Sequence, residues 1–310
     1  MIYLNIHAVI KNYIIRQRKP RATRNKQFAD SACLVYIAGL FISMRKLFFA
    51  LATLHLFISA NAQIKTPVLT GMYVQWGYNR EWYTNSTIHF KMHNGNNFKL
   101  IHAKAHDKPD FDAIIKEPGQ VSIPQYNYRL GFYLNQKHTR ALEVNFDHIK
   151  YVVTDGQKVR VRGNIDGLKI DADSILSPAT FLHLEHTDGG NLFHFNYVQQ
   201  NTLLQTRDKE RQLLTVLWKA GLGFNIPRTD FTWRGDRFNN AFHIAGYNIS
   251  AEAGLRMYPL RKLFVEFTGK AGYVHCINAL ANTVKLKGNR VSHGFGYFET
   301  IGLIGYDINF

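Results

Sequence analysis

Two short segments of the sequence place a carboxylate beside an imidazole, an arrangement that can do chemistry. Asp147 precedes His148, and Glu185 lies between His183 and His186. Such pairs suit general acid–base catalysis or metal binding, because imidazole exchanges protons near neutral pH. Neighbouring residues of a β-strand point to opposite faces. Asp147 and His148 therefore cooperate only if a bulge intervenes, whereas His183 and Glu185 share a face.

A hydrolytic site would also need a nucleophile that faces its histidine. Ser86 and His89 supply the residue types but show no diagnostic spacing, and the zinc-binding pattern His-Glu-x-x-His is absent. Two interpretations stay open: rim residues that hydrogen-bond to loops, which we prefer, and a catalytic or metal-binding role. The catalytic candidates under the second are His148, Glu185, His186, Ser86 and His89. No metal centre and no cofactor is predicted, and a binding or structural role is preferred to an enzyme.

The elements that must position these residues have the pattern of β-strands throughout. Segments of about ten residues alternate in polarity between turns rich in Gly, Asn and Asp, which is typical of transmembrane barrels. Hairpin turns are predicted at Asn94–Asn96, Asp155–Gly156 and Asp188–Gly190, since these residues accept positive φ. The predicted strands are 68–80, 86–92, 97–106, 122–134, 140–153, 157–165, 180–187, 191–203, 212–226, 241–258, 262–277 and 294–310. The segments 157–165 and 180–187 are either membrane strands, which gives twelve, or a hairpin within one outer loop, which gives ten.

The last strand ends on an aromatic residue at the final position of the chain. Its even positions from Phe298 to Phe310 are mostly apolar, and Glu299, Asp307 and Asn309 occupy odd positions. One face is therefore suited to lipid and the other to a polar interior. The strand resembles the closing strand of bacterial outer-membrane β-barrels. This resemblance implies that Phe310 is the signal read by the barrel assembly machinery.

The N-terminal region predicts export. Met44–Lys46 is basic, residues 47–59 are apolar, and Ala60–Ala62 has the small-x-small form of a signal-peptidase site. Residues 1–43 are interpreted as an unstructured upstream extension from a misplaced start codon. The alternative is a basic cytoplasmic tail with 47–59 as an anchor, but a helical span needs roughly 20 residues. The prediction is a signal peptide at 44–62, cleaved near Ala62, and a barrel at 63–310.

Charge and cysteine content narrow the class of partner. Half of the net charge of +16 lies in residues 1–62, and the remaining basic residues are scattered. Nucleic acid is therefore not expected as a partner. The expected partners are outer-membrane lipids and anionic lipopolysaccharide. Cys33 lies upstream and Cys276 is alone in the mature chain, so no intramolecular disulfide is predicted.

Alternation along the strands assigns charges of both signs to the barrel interior. A narrow barrel leaves little room for water, so these charges should pair across strands and plug the lumen. A narrow polar conduit is the alternative. The predicted lumen network is Arg129, Glu143, Asp147, Lys219, Glu252, Arg256, Glu266, Lys270 and Glu299.

Three segments carry a resemblance to outer-membrane β-barrel proteins of Bacteroidota-type genomes: Ile123–Arg129, Asp147–Tyr151 and Glu185–Gly189. The resemblance implies fold and location and no known activity. The predicted fold is an all-β, single-domain transmembrane antiparallel barrel of 10–12 strands in the bacterial outer membrane. We expect a monomer with both termini on the periplasmic side. The expected role is surface binding, envelope structure or narrow solute passage, and the alternative is a barrel-embedded hydrolase or acyl-modifying enzyme acting on lipopolysaccharide or phospholipid.

Overall fold

The computed structural model describes residues 69–112, 116, 125–208 and 210–310. The predicted upstream extension and signal peptide lie outside these residues. In the part of the chain that is described, no helix has the length and apolar character needed to cross a bilayer.

Seventeen antiparallel strands make up the described fold. They are β1 (Gly71–Tyr83), β2 (Ser86–Lys91), β3 (Asn97–Ala103), β4 (Ala105–Asp107), β5 (Tyr126–Tyr133), β6 (Arg140–Asp147), β7 (Tyr151–Val153), β8 (Lys158–Ile165), β9 (Leu168–Ile175), β10 (Leu182–His186), β11 (Gly190–Gln205), β12 (Gln212–Pro227), β13 (Asp230–Trp233), β14 (Asp236–Asn239), β15 (Gly246–Met257), β16 (Leu263–Leu280) and β17 (Arg290–Asn309).

A closed ring of strands forms the barrel. Its order is β1-β5-β6-β11-β12-β15-β16-β17, and β17 pairs back onto β1. The closing pair runs from Gly71 opposite Asn309 to Tyr83 opposite Tyr297. Closure leaves no free edge in the ring, so every strand of the wall has a hydrogen-bonded neighbour on both sides.

The outer surface of the ring is apolar and the inner surface is polar. Along β12 and β15, burial alternates with the period of two that the sequence predicts. Exposed outward residues include Tyr128, Leu142, Phe195, Trp218, Leu222, Ile249, Leu255, Phe267, Phe298 and Ile304. The all-β transmembrane barrel fold is therefore confirmed.

The strand count needs one correction. The large sheet contains twelve strands, the higher of the two predicted numbers, but only eight of them close the ring. The other four, β2, β3, β8 and β9, continue outward from the far end of β17. The segments 86–92, 97–106 and 157–165 thus belong to this extension, and 180–187 belongs to a second sheet. Their apolar faces pack on that second sheet, which a period of two cannot distinguish from contact with lipid.

A two-sheet cap stands at the end of the ring opposite the two ends of the described chain. The second sheet has the order β14-β13-β10-β7-β4, and its apolar face packs against the extension. Phe90 of β2 stacks on Phe231 of β13 with ring centroids 5.5 Å apart, and Phe98 of β3 lies 5.5 Å from Trp233. The cap strands come from three long connections, between β1 and β5, β6 and β11, and β12 and β15.

The predicted turns can be compared with the fold. The connections at 134–139 and 258–262 are short and lie at the end of the ring that holds the two ends of the described chain, and 154–190 lies in the cap. Gly95, Gly156 and Gly189 have positive φ at the predicted turns. Tyr151 and Tyr258 are buried in apolar clusters and not on the outward face of the ring.

The seam between β1 and β17 gives a test of ring closure. A methyl group at Gly77 would lie 1.9 Å from the carbonyl oxygen of Gly302 on β17, so Gly77→Ala must push the two backbones apart. We expect a loss of about 1–3 kcal/mol in the free energy of unfolding, the range for overpacking. The measurement is urea unfolding of protein refolded in lipid vesicles.

Gly302→Ala is the matched control for this seam. A methyl group there meets Phe267 at 3.4 Å, an ordinary contact, so the stability should stay close to that of the wild type. Equal stability of the two variants would contradict the close approach of β1 to β17.

Candidate functional site

The nine predicted lumen residues lie inside the ring, with side-chain exposures between 0 and 2%. Alternation along each strand turns them inward, and the register places opposite charges side by side. Lys219 lies opposite Glu252, which in turn lies opposite Lys270, and Lys270 lies opposite Glu299. The same register places Arg256 opposite Glu266.

Lys219 joins three carboxylates in the middle of the network. Its Nζ lies 3.1 Å from Glu143, 3.3 Å from Glu252 and 2.8 Å from Glu266. Arg129 bridges two of the same carboxylates, with its Nη1 at 3.1 Å from Glu143 and 2.9 Å from Glu252. Two cations thus hold three carboxylates, and the five residues come from five different strands.

Arg256 anchors the network at the end of the barrel near the two ends of the described chain. Its Nη2 lies 2.7 Å from Glu266, and its Nη1 donates to the hydroxyl of Tyr133 at 3.1 Å. The guanidinium lies over the rings of Tyr73 and Phe264, at 4.6 and 4.1 Å from their centroids. These contacts place the guanidinium against two aromatic rings.

Lys270 continues the network towards the cap. It donates a short hydrogen bond to Asp147, and its Nζ lies 3.9 Å from Glu299. Glu299 also accepts hydrogen bonds from Asn79 at 2.5 Å and from Asn127 at 3.1 Å. Nη2 of Arg129 lies 3.7 Å from Asp147, so charges of alternating sign form a continuous chain from Arg256 to Glu299.

Further inward residues that were not predicted from the sequence complete the network. Tyr73 donates to Glu143 at 2.7 Å, Gln75 to Glu266 at 3.0 Å, and Tyr133 to Asp307 at 2.8 Å. Their positions along the strand indicate that their side chains point into the barrel. Tyr73, Gln75 and Asn79 occupy alternate positions of β1, the same parity that assigns Glu81 to the interior.

The predicted catalytic residues do not assemble into one site. On β2, Ser86 is buried while His89 lies on the opposite face and bonds to Asn97 at 2.6 Å. His148 bonds to Asn191 at 3.0 Å and stacks on Tyr126, whereas Asp147 points into the lumen. The serine and histidine that a lipid hydrolase requires therefore face different surroundings.

His183 and Glu185 do share a face, as the sequence predicts, on the cap strand β10. His183 lies 2.9 Å from Asp155 and 3.3 Å from Glu185. Partial burial acts to lower the pKa of His183, but the hydrogen bonds to the two carboxylates outweigh it and raise that pKa. The hydrogen bond from His183 in turn lowers the pKa of Glu185. The group is a partly exposed ion pair that ties β10 to the turn before β8.

His186 lies on the other face of β10, away from His183. Its Nδ1 lies 3.1 Å from the Thr229 hydroxyl, and its Nε2 lies 3.1 Å from Nε2 of His293. Burial lowers the pKa of His186 to about 4, which keeps the imidazole neutral. In the described residues, His186, His293 and Cys276 are the group of donors that could hold a metal ion.

Phe310, the predicted assembly signal, follows the end of β17. Its side chain is 73% exposed, and its backbone N–H donates to Thr70 at 3.4 Å. The aromatic ring is thus accessible at the end of the ring that holds both ends of the described chain. Its reading by an assembly machinery stays a prediction.

Comparison of the sequence with known protein families and with curated proteins gives no match. Among solved structures, it is similar to Ail, the attachment invasion locus protein of Yersinia pestis (9% identity, 78% of this chain, 100% of that chain, TM-score 0.29). It is also similar to the outer membrane protein OprG from Pseudomonas aeruginosa (9% identity, 78% of this chain, 98% of that chain, TM-score 0.37). A further similar structure is the outer membrane protease OmpT from Escherichia coli (9% identity, 79% of this chain, 98% of that chain, TM-score 0.30). The fold of this chain is assigned from its own closed ring and apolar outer surface.

The centre of the network gives a test of its contribution to stability. Lys219→Met leaves Glu143, Glu252 and Glu266 without the cation they share, in a space that water does not reach. Breaking a buried pair costs about 3–5 kcal/mol, so we expect a loss of that size in urea unfolding of the vesicle-inserted protein.

Lys158→Met is the control for this test. Lys158 pairs with Asp173 at 3.2 Å on the cap surface, where exposed ion pairs contribute about 0–1 kcal/mol. Similar losses for both variants would show that the lumen charges are hydrated rather than buried.

Proposed function

We propose that the protein is a bacterial outer-membrane barrel with a sealed lumen, which presents its cap at the cell surface as a binding module. The observation that carries this proposal is the continuous chain of paired side chains from Arg256 to Glu299. An eight-stranded ring has an interior just wide enough for side chains to fill. A network that occupies this width supports a binding or structural role over solute passage.

The distribution of chain between the two ends of the ring supports the orientation. Outer-membrane barrels have short periplasmic turns and longer extracellular loops. The short connections and the two ends of the described chain share one end, and the cap occupies the other. We infer periplasmic termini and a cap that faces outward, where its ligands would be molecules outside the cell or the lipopolysaccharide around it.

The cap has the rigidity of a binding module. Its two sheets share a core of buried aromatic and aliphatic residues, so its surface is held by packing rather than by separate loops. The β8–β9 hairpin presents a ladder of exposed charges, with Arg160 at 2.7 Å from Asp171 and Arg162 at 3.3 Å from the same carboxylate. Such a polar surface suits contact with water and with charged partners.

Planar-bilayer recording tests the sealed lumen. We expect the purified wild-type protein to insert without a stable conductance at neutral pH, because the paired side chains leave no continuous water path. A conducting porin serves as positive control, and heat-modifiable migration on a gel shows that the inserted protein is folded. A stable, large conductance would refute the sealed lumen.

Epitope insertion tests the orientation of the cap. A tag between Asp166 and Gly167, in the β8–β9 turn, should be labelled by antibody on intact cells. The matched control is the same tag between Gln136 and Lys137, in the turn between β5 and β6, which should be labelled only after permeabilisation. The reverse result would place the cap in the periplasm and overturn a role at the cell surface.

A further inference from the structure

Three metal-binding side chains meet where the cap joins the barrel. His186 comes from β10 of the cap, and Cys276 and His293 come from the wall strands β16 and β17. Each is 2% exposed. One donor atom of each residue lies within 4.8 Å of the donor atoms of the other two. Cys276 and His293 are direct register partners, so their side chains leave the sheet side by side.

The spacing of the two imidazoles fits a shared cation. Their Nε2 atoms are 3.1 Å apart. Two nitrogens bound to one tetrahedral ion at 2.0–2.1 Å would be about 3.3 Å apart. The contact of Thr229 with Nδ1 of His186 leaves Nε2 of that ring as the atom that points at His293. An outer partner of this kind is what orients a histidine ligand in metal sites.

The thiol is held by a hydrogen bond that favours its ligating form. Asn225 donates from Nδ2 to Sγ of Cys276 at 3.0 Å. A donor aimed at sulfur stabilises the thiolate, which is the form that binds metals.

A further observation concerns the space for a ligand at this place. A cavity of about 10 Å³ adjoins the cluster, lined by His186, Cys276 and Asn225 together with apolar side chains. A space of roughly 10–15 Å³ is enough for one water-sized particle.

We propose that His186, Cys276 and His293 bind one thiophilic transition-metal cation, Zn²⁺ or Cu⁺, which links the cap to the barrel wall. Both ions suit a set of imidazole nitrogens and a thiolate. On binding, the two Nε2 atoms and Sγ each form a bond to the ion, and the thiol proton leaves to solvent without any change in oxidation state. Zn²⁺ leaves room for a water as fourth ligand in the small cavity, whereas Cu⁺ and the thiolate together form a neutral, three-coordinate site.

Metal analysis of the folded full-length protein in detergent tests the site. The protein is stripped with a chelator, loaded separately with Zn²⁺ or with Cu⁺ under an anaerobic reductant, desalted and measured for bound metal. We expect one ion per chain in one of the two arms, and the arm that retains it identifies the metal. Absence of bound metal in both arms would overturn the proposal.

Variants separate this cluster from incidental binding. Cys276→Ser and His293→Gln should weaken binding at least 10-fold, the loss expected when a ligand or its support is removed. The control is His148→Gln, a buried imidazole that bonds to Asn191 outside the cluster and should bind as the wild type does. Unchanged binding in Cys276→Ser would overturn the assignment.

A measurement on the wild type alone covers the case in which the variants do not fold. Co²⁺ bound through Cys276 should give a sulfur-to-metal charge-transfer absorption, and Zn²⁺ or Cu⁺ should protect the Cys276 peptide from alkylation. Alkylation at the same rate with and without metal, or Co²⁺ binding without that absorption, would refute thiolate ligation.

Discussion

The closed ring of eight strands is the constraint on which the rest of the structure depends. Closure satisfies the backbone hydrogen bonds of the wall and fixes the width of the interior at about the size of its side chains. Every inward charge must then find its partner among the other inward groups, because little space remains for water. The pairing of Lys219 with three carboxylates is a consequence of this width.

The same closure determines where function can lie. Buried charges in a narrow lumen contribute specificity and rigidity when they are paired. The charges from Arg256 to Glu299 are paired between neighbouring strands, as Arg256 is with Glu266, and across the lumen, as Lys270 is with Asp147. The remaining chain, about as many strands as the ring itself, is gathered into the cap, which is where contacts with other molecules would be made.

The junction between cap and barrel connects these two parts of the fold. Strands β16 and β17 extend past the ring and enter the core of the cap, where Val274, Phe295 and Tyr297 belong to the same apolar cluster as residues of both cap sheets. The buried donors His186, Cys276 and His293 lie at this place. A cation there would add a cross-link between two sheets that are joined by apolar packing and by the contact of His186 with His293.

The sequence by itself determined the properties that depend on local periodicity. Alternation assigned Lys219, Glu252 and Arg256 to the interior and Trp218, Ile249 and Leu255 to the outer surface, because side chains of a strand alternate between its two faces. It also located the turns at Gly95 and Gly156. Tertiary structure decided which strands close the ring. The cap strands β2 and β8 alternate as the wall strands do, and only long-range pairing distinguishes them. In the donor group, His186 comes from β10, far along the chain from Cys276 on β16 and His293 on β17, so no local spacing in the sequence indicates the group.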